Sequence, residues 1–519
     1  MGKCTEAMSV TSRRKFLRAA AATGATLGAG LAPWQISQSM AATPRKGGTL
    51  RFCRPDSPDT LDPQVSNSFC GYEYSKMVYD NLVWLDADDQ PQPQLATSWT
   101  PEQRGQEWVV TLREGVKFHN GAEFTSADVI ATVERSLDRA RSGAGFGCFG
   151  PVKAIQAEGP LKVRFILNLP FGEFAANLAE DHCRILPAKG IDDLRTSPNG
   201  TGPFVFKDFQ PGSSLTVERN PNYWDPSVVF LDGVRMVFIH EAVSMQAAIR
   251  AGQVDLITQI PVETYLVMQK AQGLHAYSAT TGDHQTCQLM GNMAPFDNMK
   301  VRQAFHYLLD REALVTAALF GQGTIGNDIP LPAGNFYLPQ LPQYKQDLPK
   351  AKKLIEESGV GPITLEIYGS SERPPQVKMC LAFSEAAAKI GVTLNVRDVP
   401  YTEYAANVAR KKPLFTSNWG GSATLFDAIY KKYYSKGFYN YSNIECAPGL
   451  DAKLDDMIAE VDTAKRKVIA ADVLSLVHEY SDRLVPYFKN YIGITNDKVN
   501  GFVPPKFGVI ETRKMWLAA

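Results

Sequence analysis

The chain has 519 residues, with 54 Lys and Arg balanced by 54 Asp and Glu and 44% hydrophobic residues. A formal net charge of zero gives no electrostatic footing for nucleic acid or an anionic membrane. The length exceeds one ordinary core, so two or three domains are expected.

The chain opens on Ser12-Arg13-Arg14-Lys15-Phe16-Leu17, followed by a weakly apolar stretch, Ala19 to Ala32, and a small-residue exit at Ser39-Met40-Ala41. A basic head, a short apolar run and small exit residues fit an export signal. At about 14 residues the apolar part is too short to span a bilayer, which takes roughly 20. The paired-arginine element resembles the twin-arginine export motif, with cleavage near Ala41 or Ala42. Without residues 1–42, 49 basic and 53 acidic residues remain, a net of −4, with no second long apolar run. Seven cysteines also remain, at 53, 70, 148, 183, 287, 380 and 446. They show no CxxC, and the odd count leaves at least one thiol, with the pairing open. The histidines lack metal-ligand spacing, none lying between 307 and 477, so neither a metal nor a cofactor is expected.

Lys46 to Phe52 reads as a first strand and Tyr74 to Leu82 as a helix. Glu107 to Arg113 reads as a strand, and Asn120-Gly121 as a tight turn. Thr125 is placed to cap a helix running to Arg139, with Asp128 three residues on as its capping-box partner. Phe204 to Phe206, Ser214 to Glu218 and Val234 to Ile239 read as strands, with a helix over Val243 to Ala251. Val301 to Phe320 has the pattern of one amphipathic helix closing at Gly321. Four prolines in Pro330 to Pro342 exclude a continuous helix or central strand there. Lys350 to Ser358 (helix), Ile363 to Ile367 (strand), Val377 to Ile390 (helix) and Val392 to Val396 (strand) alternate as in a mixed sheet covered by helices.

Several motifs fall in a fixed order along this framework. They are Leu61-Asp62-Pro63, Tyr79-Asp80-Asn81-Leu82-Val83, Gln94 to Trp99, and Leu112-Arg113-Glu114-Gly115-Val116-Lys117-Phe118-His119-Asn120-Gly121 running on to Val129. After them come Glu134-Arg135, Gly200-Thr201-Gly202-Pro203-Phe204, Glu218 to Trp224, Ala251 to Asp255, Pro295 to Asn298, Val301 to Ala304 and Asp310-Arg311-Glu312. In order and spacing they resemble the family-5 extracellular solute-binding proteins, the receptors of dipeptide, oligopeptide and nickel ABC importers. The resemblance implies an α/β, two-lobed periplasmic-binding-protein-like fold (type II, cluster C) with an extra inserted domain. Domain I would comprise 46–86, 200–284 and 487–519, domain II 87–199, and domain III 285–486. It further implies a monomer in the periplasm that binds a small-molecule ligand between domains I and III and delivers it to an ABC permease and ATPase complex. Arg113, Arg135, Arg302 and His119 are read as scaffold.

Peptide receptors of this group carry an aspartate after a Gly-Trp pair that neutralises the peptide ammonium. Here the stretch is Asn418-Trp419-Gly420-Gly421-Ser422, so Ser422 stands in the aspartate's place, and Asp427 could replace it only if the loop is re-threaded. Ser371-Glu372-Arg373-Pro374 aligns with the element whose arginine grips a ligand carboxylate, which a guanidinium fork suits; the alternative partner for Arg373 is Glu372. Trp419 is a candidate stacking residue, and Asn67, Phe69 and Tyr72 are candidates on the opposite rim. Tyr430, Tyr433 and Tyr434 are read as half core, half surface. These residues point to a small polar, anionic solute, such as a modified peptide, an opine-like conjugate or an acidic sugar derivative. An ordinary dipeptide or oligopeptide is the alternative. An exported hydrolase lacks any GxSxG, HExxH or SxxK element in a supporting context, and a sensory receptor stays open.

Overall fold

The computed structural model describes residues 43–518, so the export-signal reading of residues 1–42 lies outside it. One sheet of eleven strands organises the chain. Its order is Thr393–Asp398, Thr364–Gly369, Leu414–Trp419, Leu274–Leu289, Arg483–Asn496, Leu256–Thr258, Thr49–Arg54, Gly233–Phe238, Ser214–Arg219, Phe204–Gln210, with Gly323–Ile325 beside Arg483–Asn496. Helices cover it, giving the mixed α/β, two-lobed architecture.

Two long strands join the lobes. Leu274–Leu289 and Arg483–Asn496 pair antiparallel almost from end to end, with the register shifted between Thr280 and His284 and again between Gln285 and Cys287. On one side of the first break Ile494 and Tyr491 join apolar clusters built on Phe52, Met236, Ile249 and Ile257. On the other, Cys287, Leu289, Leu484 and Tyr487 join a cluster with Phe305, Ile367 and Phe383. The boundaries implied by resemblance, 284/285 and 486/487, fall inside these two strands. Gly282 sits at the break because nothing larger fits: a Cβ there would lie 2.5 Å from Gly421 Cα.

A four-stranded sheet, ordered Ala96–Glu102, Glu107–Leu112, Lys162–Leu167, Val152–Ala157, lies within 87–199. Its core does not close on itself. Trp108, Phe165 and Phe171 share one cluster with Phe426, Leu454 and Leu474, and Phe171 meets Phe426 with ring centres 4.7 Å apart.

Most sequence expectations hold within a few residues. The predicted capping box forms, with the Thr125 N–H donating to Asp128 Oδ2 at 2.8 Å, although the helix ends at Ser136 rather than Arg139. Arg113 donates to the Gln94 carbonyl and lies 4.1 Å over Trp224, Arg135 pairs with Asp62 at 2.5 Å, and Arg302 donates to the Phe296 carbonyl. His119 is fixed against Gly202 O, and burial pushes its pKa down to about 4. These four are scaffold, as expected.

The single helix over Val301 to Phe320 is two, Met299–His306 and Arg311–Leu319. Asp310 caps the second by accepting from Ala313 N–H at 2.9 Å. The break turns His306 and Arg311 onto one buried carboxylate, Asp328, each at 2.6 Å. The other Asp328 oxygen accepts the Val485 N–H at 2.9 Å and so pins the start of the second crossover strand. Burial opposes the Asp328 charge, but Arg311 and His306 outweigh it and hold the carboxyl well below the usual carboxylate range.

No helix among the described residues is long and apolar enough to cross a membrane. All seven cysteines after residue 42 carry free thiols.

Asp328→Ala leaves Arg311 buried without its counter-charge. Stability in urea unfolding should fall by about 3–5 kcal/mol. The wild type should lose the same contribution as pH drops below about 4, where the carboxyl is protonated first in the unfolded chain.

Candidate functional site

Thr364–Gly369 runs parallel to both Thr393–Asp398 and Leu414–Trp419, so the carboxyl ends of three strands open on one edge. In open α/β sheets that edge is where ligands sit. Here it gathers Ser370 to Gln376, Val399 to Tyr401 and Trp419 to Ser422. Hydrogen bonds hold the three loops together. The Ser370 N–H donates to Gln376 Oε1 at 2.9 Å, and the Ser371 N–H to Asp398 Oδ1 at 2.9 Å. Asn418 Oδ1 accepts from Gln376 at 3.1 Å and from Gln285 of the first crossover strand at 2.8 Å.

Arg373 is exposed, its guanidinium lying 4.1 Å over the Tyr401 ring. Glu372 accepts the Tyr401 N–H at 3.3 Å instead of pairing with Arg373, and Arg373 has no ion-pair partner among the described residues.

Trp419 lies opposite His284 in the sheet. Its indole meets Tyr439 edge-on at 5.1 Å and Tyr441 at 5.8 Å, with Arg483 Cζ 4.6 Å and Lys432 Nζ 5.3 Å from the ring centre. The sequence reading did not single out Arg483, Lys432, Tyr439 or Tyr441. The only local signal for Arg483 is a charge heading the apolar strand Leu484-Val485-Pro486-Tyr487-Phe488. Tyr430 and Tyr433 are buried and Tyr434 is half-buried, so this trio is mostly core.

Two carboxylates at this edge, Glu372 and Asp398, accept backbone N–H groups and have no ion-pair partner among the described residues. Asp427, the other candidate for the missing aspartate's place, pairs with Lys431. Asp283 pairs with Lys489 at 2.9 Å, and Asp482 takes the Ser442 hydroxyl. Ser422 is half-buried on the loop just past Trp419.

The facing rim is set by Asp59, which accepts from the Ser66 hydroxyl at 2.6 Å, the Asn67 N–H at 2.8 Å and the Ser68 hydroxyl at 3.0 Å. Ser68 then caps the helix Phe69–Val78, placing Phe69 and Tyr72 one turn apart, with Asn67 exposed ahead of them. Tyr72 packs edge-on against His182 at 5.1 Å. Both His182 nitrogens face acceptors, Glu180 Oε1 at 3.3 Å and Ser66 O at 3.0 Å. Burial opposes a charged ring, but Glu180 prevails and raises the His182 pKa to about 9. The two sides meet at the turn Phe507-Gly508. A Cβ on Gly508 would fall 2.9 Å from Phe69 Cε1, and one on Gly421 would fall 3.0 Å from Phe507 Cδ1. The structure thus brings Phe69 and the Gly421-Ser422 loop to one turn, and places Arg373 further along the same edge as Trp419.

A hollow of about 720 Å³ lined by Arg250, Lys270, Gln272 and Lys498 lies at the Leu274 end of the first crossover strand and gathers none of these groups. Among the described residues no cluster of His, Cys, Asp or Glu could hold a metal ion.

Comparison with known proteins places these features. The profile of the bacterial extracellular solute-binding proteins, family 5 Middle, matches residues 90–441. The chain is 24% identical over 512 residues to the glutathione-binding protein GsiB of Pectobacterium atrosepticum, covering 95% of this chain and 97% of that one. It superposes on the ABC transporter substrate-binding protein CtaP of Listeria monocytogenes with a TM-score of 0.80 at 23% identity, covering 91% of this chain and 100% of that chain. The PBP AgaA of A. tumefaciens R10, solved in complex with agropinic acid, gives 0.77 at 24% identity, covering 91% and 99%.

The His182 ion pair has a pH signature. Its stabilisation is full below about pH 6.5 and is lost as pH rises through about 9, so unfolding free energy should drop by about 1–3 kcal/mol over that window, allowing for the partly exposed Glu180. His182→Gln should flatten that slope in urea titrations.

Proposed function

The chain belongs to the bacterial extracellular solute-binding proteins, family 5, and from that footing we propose that it captures a small polar, anionic solute for import. As a family-5 member it is the substrate-binding receptor of an ABC importer, works with a permease and ATPase complex, and is not an enzyme. What goes beyond the family is the charge of the solute.

The observation that carries this reading is the imbalance at the carboxyl edge. Ser422 stands where peptide receptors place an aspartate, and Asp427 and Asp283 are paired with lysines, while the Arg373 guanidinium is exposed and has no ion-pair partner among the described residues. A peptide ammonium buried there would find Asp427 and Asp283 already paired with lysines, and a buried charge without a partner costs several kcal/mol. An acidic group meets the opposite situation. Among the relatives, one is named for glutathione and another was solved with agropinic acid, while others were solved with plain peptides such as STSA and Met-Leu, the alternative that the test below separates. A modified peptide, an opine-like conjugate or an acidic sugar derivative fits.

In this reading Arg373 offers a two-pronged grip on an acid, Trp419 an aromatic wall, and Ser422 a neutral hydrogen-bonding group. Asn67, Phe69 and Tyr72 close from the facing rim. The lobes, domain I (46–86, 200–284, 487–519) with the inserted domain II (87–199), and domain III (285–486), rotate about the strand break at Thr280 to His284, where Gly282 gives the backbone room. Closure strips water from the solute, so polar groups on both rims must satisfy it. The protein is exported by the twin-arginine route, trimmed near Ala41 or Ala42, and acts in the periplasm as a soluble monomer.

A thermal-shift series tests the charge. Acidic solutes should raise the unfolding midpoint of the mature chain, while their amides or esters and plain di- to pentapeptides should not. Ser422→Asp should weaken the acid by about tenfold or more through like-charge repulsion. Equal stabilisation by plain peptides in the wild type and in Ser422→Asp would contradict the anionic reading.

A further inference from the structure

Arg483 is 1% exposed and Lys432 4% exposed, yet neither side chain touches a carboxylate among the described residues. The Arg483 guanidinium donates from Nε to Gln288 Oε1 at 3.1 Å and from Nη2 to the Tyr439 carbonyl at 2.8 Å, both neutral acceptors. Its Nη1 is buried without a partner. So are the neighbouring Trp419 Nε1 and Tyr433 hydroxyl, the Tyr433 ring lying 6.0 Å from the guanidinium. The next lysine, Lys431, has its carboxylate in Asp427, whereas Lys432 lies on the same indole as Arg483.

Taken together, a guanidinium arm, an indole N–H and a phenol are buried without acceptors, and the Lys432 ammonium lies at the same indole as the guanidinium. Two like charges withdrawn from water beside each other are strongly unfavourable unless an anion joins them. The strain is visible at neighbouring groups. Burial, then the Arg483 charge, pushes the Lys432 pKa down to about 7. Burial, then Lys432, pushes His284 well below its usual value.

We propose that Lys432 and Arg483, with Trp419 Nε1, form a buried anion seat that takes the acidic group of the imported solute, in carboxylate or phosphate form. The proposal rests on the receptor reading and sharpens it. The buried charge-selecting contact lies beside Trp419, and Arg373, exposed on Tyr401, grips a second, outer acidic group of the same solute. Arg483 heads a crossover strand, so an anion held there is held at the hinge-bearing pair of strands, on the ring that the Gly420 to Ser422 loop carries. The same chemistry could also hold a resident inorganic anion, and the test separates the two sources.

Crystals of the mature chain are soaked in bromide, alone and with an acidic solute that binds in solution, drawn from a panel of dicarboxylates, N-acyl amino acids and sugar acids, each paired with its neutral amide or lactone. Bromide alone should give an anomalous peak within hydrogen-bond reach of Lys432 Nζ and Arg483 Nη1, and the bound acid should displace it. No peak there overturns the proposal. A peak that persists beside the bound acid assigns the seat to a resident inorganic anion and also overturns it. Wild type that binds neither acids nor their neutral partners speaks against the receptor reading for these solutes, a different failure.

Lys432→Met supplies the second readout, because its two effects have opposite signs. Removing an unpaired buried cation should raise the ligand-free unfolding midpoint while weakening the acidic solute by about 30-fold or more. Arg483→Lys, which keeps the charge, should weaken it less than Arg483→Gln. A lower ligand-free midpoint in Lys432→Met, or unchanged affinity for the acid, overturns the proposal.

Discussion

The antiparallel pairing of Leu274–Leu289 with Arg483–Asn496 is the constraint on which the rest of the molecule depends. Both apolar ends of the large sheet are anchored on this ribbon, the strand bearing Trp419 is registered against it from His284 to Leu289, and the proposed hinge lies at its break between Thr280 and His284. Backbone hydrogen bonds hold each half of the ribbon rigid. At the break Gly282, lacking a side chain, lets the Gly421 backbone approach closely.

Two charges near the head of the second crossover strand show how unevenly the fold treats burial. Asp328 binds the Val485 N–H and is itself met by Arg311 and His306, a fully compensated anion that fixes the strand. Arg483, two residues earlier, is as deeply buried but has only neutral acceptors. On the proposed reading, a charge reserved for a solute waits for its partner, and Asp427 and Asp283, already paired with Lys431 and Lys489, are not drawn to quench it.

How much of this was legible in the sequence follows from how local each cause is. The Thr125–Asp128 capping box is written within four residues and formed as read. The alternation from Ile363 to Val396 marks two of the three strands whose carboxyl ends make the candidate site, and the third, Leu414–Trp419, was not read from the sequence. The single helix over Val301 to Phe320 was misread because its apolar spacing runs through Tyr307 to Asp310, while the reason for the break, Asp328 drawing His306 and Arg311 inward, lies some twenty residues away. Arg373, Trp419 and Ser422 could be picked out by resemblance. Arg483 and Lys432 could not, because their surroundings come from Gln288, Trp419, Tyr439 and Tyr441, which only the folded sheet brings together. The shared core between the four-stranded sheet and the segment from Phe426 to Leu474 is likewise a tertiary fact with no local mark.

The central claim is that this receptor closes on an anion. The most direct measurement is native mass spectrometry of the mature chain purified from its own periplasm, with the released small molecule identified in the same experiment. The account predicts one equivalent of an acidic solute, lost from Lys432→Met. A cationic or uncharged solute, or an acid retained equally by the variant, would contradict it.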